Sequence, residues 1–252
     1  MYVVKMSQQG RIVSVLKDIP LFKACGDAWL EQMVAQAQIQ KVGKGKILFM
    51  QQDEAHRFFI ILKGWVKLFR ETLDGTQAVV DILPAGHMFG EASIFEGDLY
   101  PYSAEATEPC EILSLPLRFL KIEIEENPKL ALAMLSAMAR YRKQQDQELE
   151  HRVLQNAPQR IGCFLLRLAD QTKDGRIVIH LPYDKTLVAS RLGMQPETFS
   201  RALSKLKAET GIEVKGATIM LDDLEQLSRY SCSACSSEFP CKDLSTSRGG
   251  KV

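Results

Sequence analysis

The sequence predicts an α+β chain built in three successive parts: an N-terminal β-roll (jelly roll), one long helix, and a C-terminal winged helix-turn-helix. Three observations carry this. Gly64, Gly75, Gly86 and Gly97 stand eleven residues apart between short runs rich in β-branched and aromatic residues, the beat of strand, turn and strand that an all-β roll requires. Residues 129–155 contain no glycine or proline and carry apolar side chains close to coiled-coil spacing. Residues 181–207, LPYDKTLVASRLGMQPETFSRALSKLK, read as two short helices joined by a tight turn.

Taken in order, residues 1–19 form a leader without an assigned structure, and Ile19-Pro20-Leu21-Phe22 begins the fold. From Asp27 to Ala37, Trp29, Leu30, Met33 and Val34 are spaced as a short amphipathic helix. From Gln38 to Leu115 the period becomes that of strands, with candidates at 46–51, 57–62, 65–70, 77–83, 102–107 and 110–115. A helix marked by Phe119, Ile122 and Ile124 follows Pro116 and ends at Asn127-Pro128. On the long helix, Leu130, Met134, Ala137, Tyr141 and Leu149, with Met138 beside them, make an apolar stripe. Such a stripe calls for a copy of itself, so the chain is expected to form a parallel homodimer. Asn156-Ala157-Pro158 is the expected hinge. Beyond it lie a helix over 161–169, strands over 176–180 and 212–221 with a hairpin at Lys215-Gly216, and a last helix from Asp222-Asp223 through Leu227. The expected parts are therefore 1–19 leader, 20–128 β-roll, 129–155 dimerisation helix, 156–228 winged helix-turn-helix and 229–252 cysteine-rich tail.

Within the helix-turn-helix, Asp184 is a good N-cap for a helix from Lys185 to Leu192. Gly193 supplies the positive φ of a sharp exit, and Pro196 suits the first turn of the second helix. Phe199, Leu203 and Leu206 would pack inward. Gln195, Glu197, Thr198, Ser200, Arg201 and Lys205 fall on the other faces. Glu197 can accept from cytosine N4, and Arg201, four residues on and so on the same face, can grip guanine O6 and N7. Lys185, Arg191, Lys205 and Lys207 are placed to meet phosphates. Without those residues the stretch would be an ordinary helical hairpin.

The net charge is only +1, with 32 Lys and Arg against 31 Asp and Glu, so any basic surface must be local. No run of about 18 apolar residues suggests a membrane span, and the N-terminus lacks the apolar core and cleavage site of a signal peptide. A cytoplasmic location is expected. No Ser-His-Asp set, catalytic carboxylate pair or phosphate loop points to an enzyme.

Phe89-Gly90-Glu91, Pro101-Tyr102-Ser103-Ala104 and Glu197-Thr198-Phe199-Ser200-Arg201 together resemble the Crp/Fnr family of bacterial transcription regulators, over residues 19–227. The resemblance implies a cyclic-nucleotide-binding-type roll. It also implies a homodimer on a double-stranded DNA palindrome with TTGAT-like or TTGTGA-like half-sites, and RNA polymerase as a partner. One departure matters. Cyclic-nucleotide sensors of the family carry an arginine just before the Ser-Ala pair, where this chain has Tyr102. Between Pro84 and Pro116 there is no Lys or Arg but six acids, and a buried phosphate without a cation is costly. Cyclic AMP and cyclic GMP are therefore rejected as ligands, and Glu91 is expected to be a structural carboxylate.

The tail carries Cys232, Cys235 and Cys241 within ten residues. A C-x2-C pair with a third thiol returning suits an iron–sulfur cluster or zinc; oxidisable thiols without a cofactor are the alternative. The tail resembles that of Gram-positive Fnr-type oxygen sensors, which implies a [4Fe–4S] cluster with Asp146 of the long helix as fourth ligand, though the cysteine spacing is one residue longer. Cys163 is a rival ligand. The recognition turn also resembles nitric-oxide regulators of the Dnr and HcpR groups, several of them haem proteins; His56, His87, His151 and His180 are the available axial donors. Cys25, Cys110 and Cys163 read as core residues. The leading expectation is a regulator sensing oxygen or nitric oxide through a metal cofactor. The alternatives are a haem-dependent regulator and a cofactor-free, constitutive DNA-binding dimer.

Overall fold

The computed structural model describes residues 8–171, 177–181 and 184–234. The chain divides into two compact units, the first reaching Met138 and the second starting at Ala139.

The first unit opens with α1 (Gln8–Asp18), a 3-10 turn (Pro20–Ala24) and α2 (Asp27–Ala35). The leader is thus not outside the fold. Ile12, Val15, Leu16 and Ile19 repeat at helical spacing and join Phe22, Trp29, Leu30 and Met33 in one core. Arg11 fastens α1 to the roll through a bidentate pair with Glu111, both contacts at 2.8 Å. The hydrogen bond to Arg11 holds the Glu111 carboxyl below the usual carboxylate range.

The roll has eight strands: β1 (Gln38–Val42), β2 (Ile47–Phe49), β3 (Arg57–Lys63), β4 (Trp65–Glu71), β5 (Gln77–Pro84), β6 (Met88–Phe89), β7 (Ser103–Ala106) and β8 (Cys110–Pro116). They form two four-stranded sheets, ordered β1-β8-β3-β6 and β2-β7-β4-β5, with every pairing antiparallel. All six strand candidates fall on strands; β1 and the short β6 have no candidate of their own, β6 because two residues carry no alternation. The four evenly spaced glycines all have positive φ, so the eleven-residue beat marks real turns. On the core side Phe49 stacks on Tyr100 with centroids 3.7 Å apart, and Phe59 on Phe89 at 5.2 Å. Gly90, at φ 86, sits where a Cβ would lie 3.3 Å from the Tyr100 ring and 3.4 Å from Phe59. Glycine is required there by both backbone and packing.

After α3 (Leu117–Glu126), whose C-cap Asn127 donates to the Glu123 carboxylate and the Ala24 carbonyl, the long helix α4 runs from Pro128 to Leu154. The expected dimer stripe on it is covered only in part. Leu130 and Met134 are buried by the chain itself, Leu130 within the sensor core, and Ala137 is half-buried. Leu135, Met138, Leu149 and Val153 lie about 100° further round the helix and are at least half exposed, as is Tyr141. The 4-3-4 spacing belongs to Leu130, Met134, Ala137 and Tyr141, while Met138 and Leu149 of the expected stripe lie on the exposed line. The sequence alone could not tell which of the two lines the roll would cover.

In the second unit, α5 (Ala157–Leu168) begins at a capping box: Asn156 accepts from the Gln159 N–H at 3.1 Å, and Gln159 accepts from the Asn156 N–H at 3.0 Å. Then come β9 (Asp170–Gln171), β10 (Ile177–His180), α6 (Lys185–Arg191), α7 (Pro196–Thr210), β11 (Glu213–Lys215), β12 (Thr218–Leu221) and α8 (Glu225–Cys232). The wing sheet is ordered β11-β12-β10-β9. The helix α8 runs past the expected end of the domain at residue 228. Ser231 is fully buried, pressed so close to α5 that a Cβ on Gly162 would lie 1.9 Å from its hydroxyl.

Candidate nucleic-acid interface

The helix-turn-helix is built as its residues dictate. The Asp184 carboxylate accepts from the Thr186 N–H at 2.9 Å and starts α6. The turn closes through Gly193, at φ 63, and Met194, whose N–H groups donate to Ser190 and Ala189 at 3.0 Å. Pro196 opens α7, and Phe199, Ala202, Leu203 and Leu206 bury its inner face in the second core. Its outer face presents Gln195, Glu197, Ser200, Arg201 and Lys205 to solvent, with Thr198 half-buried. Among the described residues neither Glu197 nor Arg201 is held in an ion pair, so both are available to a ligand. Lys185 and Lys207 are exposed as well.

Arg191 corrects the phosphate set. It is buried, with Nη2 2.8 Å from Glu148 Oε1, because the α6 position facing α4 needed a partner for that carboxylate. Sequence periodicity places Arg191 at the end of a helix but does not reveal that α4 passes behind it.

In the sensor unit, Glu91 opens a 3-10 turn (Glu91–Phe95) behind Gly90. Its Oε2 is buried without a hydrogen-bond partner, and burial pushes its carboxyl pKa up. The expected capping of loop amides is therefore incomplete. Three of the six acids between Pro84 and Pro116 are met from elsewhere: Asp98 by Lys121 and Glu105 by Lys67, each at 2.7 Å, and Glu111 by Arg11. Arg70 also reaches this segment, its Nε donating to the Pro101 carbonyl at 3.2 Å. Counting cations within 84–116 thus leaves out the one that strand pairing brings beside Tyr102.

The cofactor residues are placed as follows. Cys235 and Cys241 lie outside the described residues. Cys232 is half-buried at the end of α8, where the neighbouring Ser231 carbonyl accepts from Gln155 Nε2 at 3.3 Å. Asp146 is exposed and 3.7 Å from Arg142. It lies nine residues before Gln155 on α4 and on the opposite side of the helix, about 13 Å along the axis, so within one chain it does not face Cys232. Cys163 is buried, with its Sγ 3.7 Å from His151 Nδ1. Cys25 is half-buried, its thiol pushed up to about 12 by burial, and Cys110 donates to the Trp65 and Glu108 carbonyls at 3.2 Å; both sit as core residues. His56 and His180 are exposed, while burial lowers the pKa of His87 and of His151. Among the described residues no three His, Cys, Asp or Glu side chains are grouped to hold a metal ion, and no helix is long and apolar enough to cross a membrane.

A double-sheet roll, a long helix and a winged helix-turn-helix with a charged outer helix face define a DNA-binding regulator with a sensory domain. Residues 39–127 match the cyclic nucleotide-binding domain family and residues 159–230 the Crp-like helix-turn-helix domain. A CRP-like cAMP-activated global transcriptional regulator of Mycobacterium tuberculosis is 26% identical over 221 residues, covering 85% of this chain and 97% of that one. A solved structure from Ruegeria pomeroyi DSS-3 is 33% identical with a TM-score of 0.68, covering 90% of this chain and all of the other. DNR from Pseudomonas aeruginosa is 28% identical, TM-score 0.50, with 90% and 100% covered. The chain belongs to the Crp/Fnr family of DNA-binding transcription regulators, whose members act as dimers.

Proposed function

We propose that two copies of the chain, joined along the exposed Leu135–Met138–Leu149 line of α4, read a palindrome with TTGAT-like or TTGTGA-like arms and recruit RNA polymerase there. The observation that carries this is the outer face of α7, where Glu197, Ser200 and Arg201 are exposed together in the order that Fnr-type recognition turns use. Glu197 and Arg201 discriminate bases, while Lys185, Lys205 and Lys207 hold phosphates. The signal is a redox change or a gas, oxygen or nitric oxide. The sensing group is a [4Fe–4S] cluster on Cys232, Cys235 and Cys241. A cluster supplies a group that oxygen or nitric oxide degrades. Cys232 supports the reading because α8 holds it beside Gln155, at the α4–α5 turn, where ordering or freeing the tail would shift the reading helices between two populations. The placement of Asp146 weighs against it as a fourth ligand from the same chain. Cyclic nucleotide is not the signal, and the location is cytoplasmic.

Anaerobically purified protein tests this through its iron and sulfide content, visible spectrum and DNA affinity before and after air. Cys232→Ser, Cys235→Ser and Cys241→Ser should each lose iron and sulfide, while Cys25→Ser and Cys110→Ser should keep them. A Cys235→Ser protein with full iron sinks the cluster. Similarity to DNR keeps a second reading, haem, which a sharp Soret band would reveal. Colourless protein would leave a constitutive DNA-binding dimer.

A further inference from the structure

Three helices of the second unit meet at one carboxylate. Glu148 of α4 accepts at Oε1 from Arg167 Nη1 of α5 and from Arg191 Nη2 of α6, both at 2.8 Å. The three side chains are only 14%, 19% and 9% exposed. Burial pushes the Glu148 carboxyl up, but the hydrogen bond and charge of Arg191 with the charge of Arg167 outweigh it and hold the group ionised below the usual range. The same face of α4 carries His151, beside Cys163 of α5, and Gln155, just past the end of α4, bonds to the Ser231 carbonyl. Glu148 meets Arg167 and His151 meets Cys163 further back along α5, so the two helices run antiparallel from the Asn156 capping box.

These contacts are directional. Apolar side chains at 148, 151 and 155 would tolerate sliding and rotation. A shared carboxylate between two guanidinium groups instead fixes distance and angle, and a charged group this far from water cannot leave one partner without finding another. Arg191 ends α6, two residues before the Gly193 turn into α7. One carboxylate thus ties the long helix to the support helix of the reading pair.

We propose that Glu148, acting through Arg167 and Arg191, is a positioning residue for operator spacing: it sets the angle at which α4 presents α7, and so the half-site separation that the dimer accepts. This rests on the dimeric, palindrome-reading function above. A single half-site engages one α7 and is indifferent to that angle. A palindrome needs both recognition helices at a separation near one DNA turn, and each inserted base pair moves an arm by about 3.4 Å.

The test measures binding of the full-length protein, under the conditions in which wild type binds best, to three duplex types. They are a single half-site, the palindrome, and palindromes with arms moved by one to three base pairs. Wild type should prefer the correct spacing by the avidity of two-armed binding, about 100-fold or more. Glu148→Gln should keep half-site affinity within about threefold while its spacing preference falls below about tenfold. Because this variant strands two buried cations, Arg191→Met is tested beside it; there Glu148 keeps Arg167 while its tie to α6 is lost. Arg191→Met should show the same loss of spacing preference with half-site binding intact. A variant with intact half-site binding and an unchanged spacing preference overturns the proposal. Wild type that binds no palindrome overturns the functional reading instead, and is recognised by its appearance before any substitution.

Discussion

Replacing Gly64 by alanine should damage the sensor roll far more than the same change at Gly97. Gly64, between β3 and β4, has φ +92, and a Cβ there would lie 2.6 Å from Cys110 Sγ, 3.0 Å from the Pro109 carbonyl oxygen and 3.1 Å from Cys110 Cα. The left-handed backbone costs alanine about 1–2 kcal/mol. The crowding is against backbone of the β8 start, which cannot swing away, and forced shifts of this kind cost about 1–3 kcal/mol. Stiffening the unfolded chain returns about 0.4–1 kcal/mol, so the net loss is about 1–5 kcal/mol. Gly97 has φ +69 but nothing within 4 Å of its Cβ, leaving a loss of about 0–1.5 kcal/mol. Gly43, with neither positive φ nor a neighbour, should gain about 0.4–1 kcal/mol as alanine. Urea unfolding followed by tryptophan fluorescence reads this unit alone, since Trp29 and Trp65 are the only tryptophans and both are buried in it. Equal midpoints for Gly64→Ala and Gly97→Ala would refute the crowding argument.

Three further outcomes are expected. Glu91 has a folded-state pKa above its unfolded one, so its favourable contribution is complete only below the unfolded value and is lost as pH rises through the folded value; Glu91→Gln should therefore raise the melting temperature more at pH 8 than at pH 5, and the reverse order would show that the carboxylate has a partner. Calorimetry with cyclic AMP and cyclic GMP should show no specific heat, and micromolar binding lost in Arg70→Ala would instead make Arg70 the phosphate ligand. Lys205→Ala should weaken binding to every DNA sequence alike and reduce the salt slope by about 1, whereas a sequence-selective loss would make it a base reader.

The parts of the fold set by local chemistry were legible in the sequence. Strands β3, β4 and β5, the Asp184 cap, the Gly193 turn and the Pro196 start all fall within a residue or so of expectation, because alternation, capping and positive φ are decided by neighbours. What required distant partners was not legible. The α1 stripe of Ile12, Val15 and Leu16 is plain once seen, but only Arg11–Glu111 and the core contacts give it a place. On α4 the chain itself covers Leu130 and Met134 of the expected stripe and leaves Met138, Tyr141 and Leu149 exposed, a division that depends on which helical line the roll meets. In the sequence Arg191 reads as a phosphate contact because nothing local shows Glu148 facing it, and Arg70 reaches Tyr102's loop through the pairing of β4 with β7. The exposed side of α7, apart from the half-buried Thr198, is legible in the sequence, since it depends on helical periodicity.

Selection of duplexes from a random pool, run with wild type and with Arg201→Ala, tests the DNA-reading assignment most directly. Wild type should enrich a palindrome with TTGAT-like or TTGTGA-like arms. Arg201→Ala should lose about 1–3 kcal/mol of discrimination, concentrated at the guanine of each arm. Enrichment of the same palindrome to the same degree by both proteins would contradict the assignment of α7 as the helix that reads the bases.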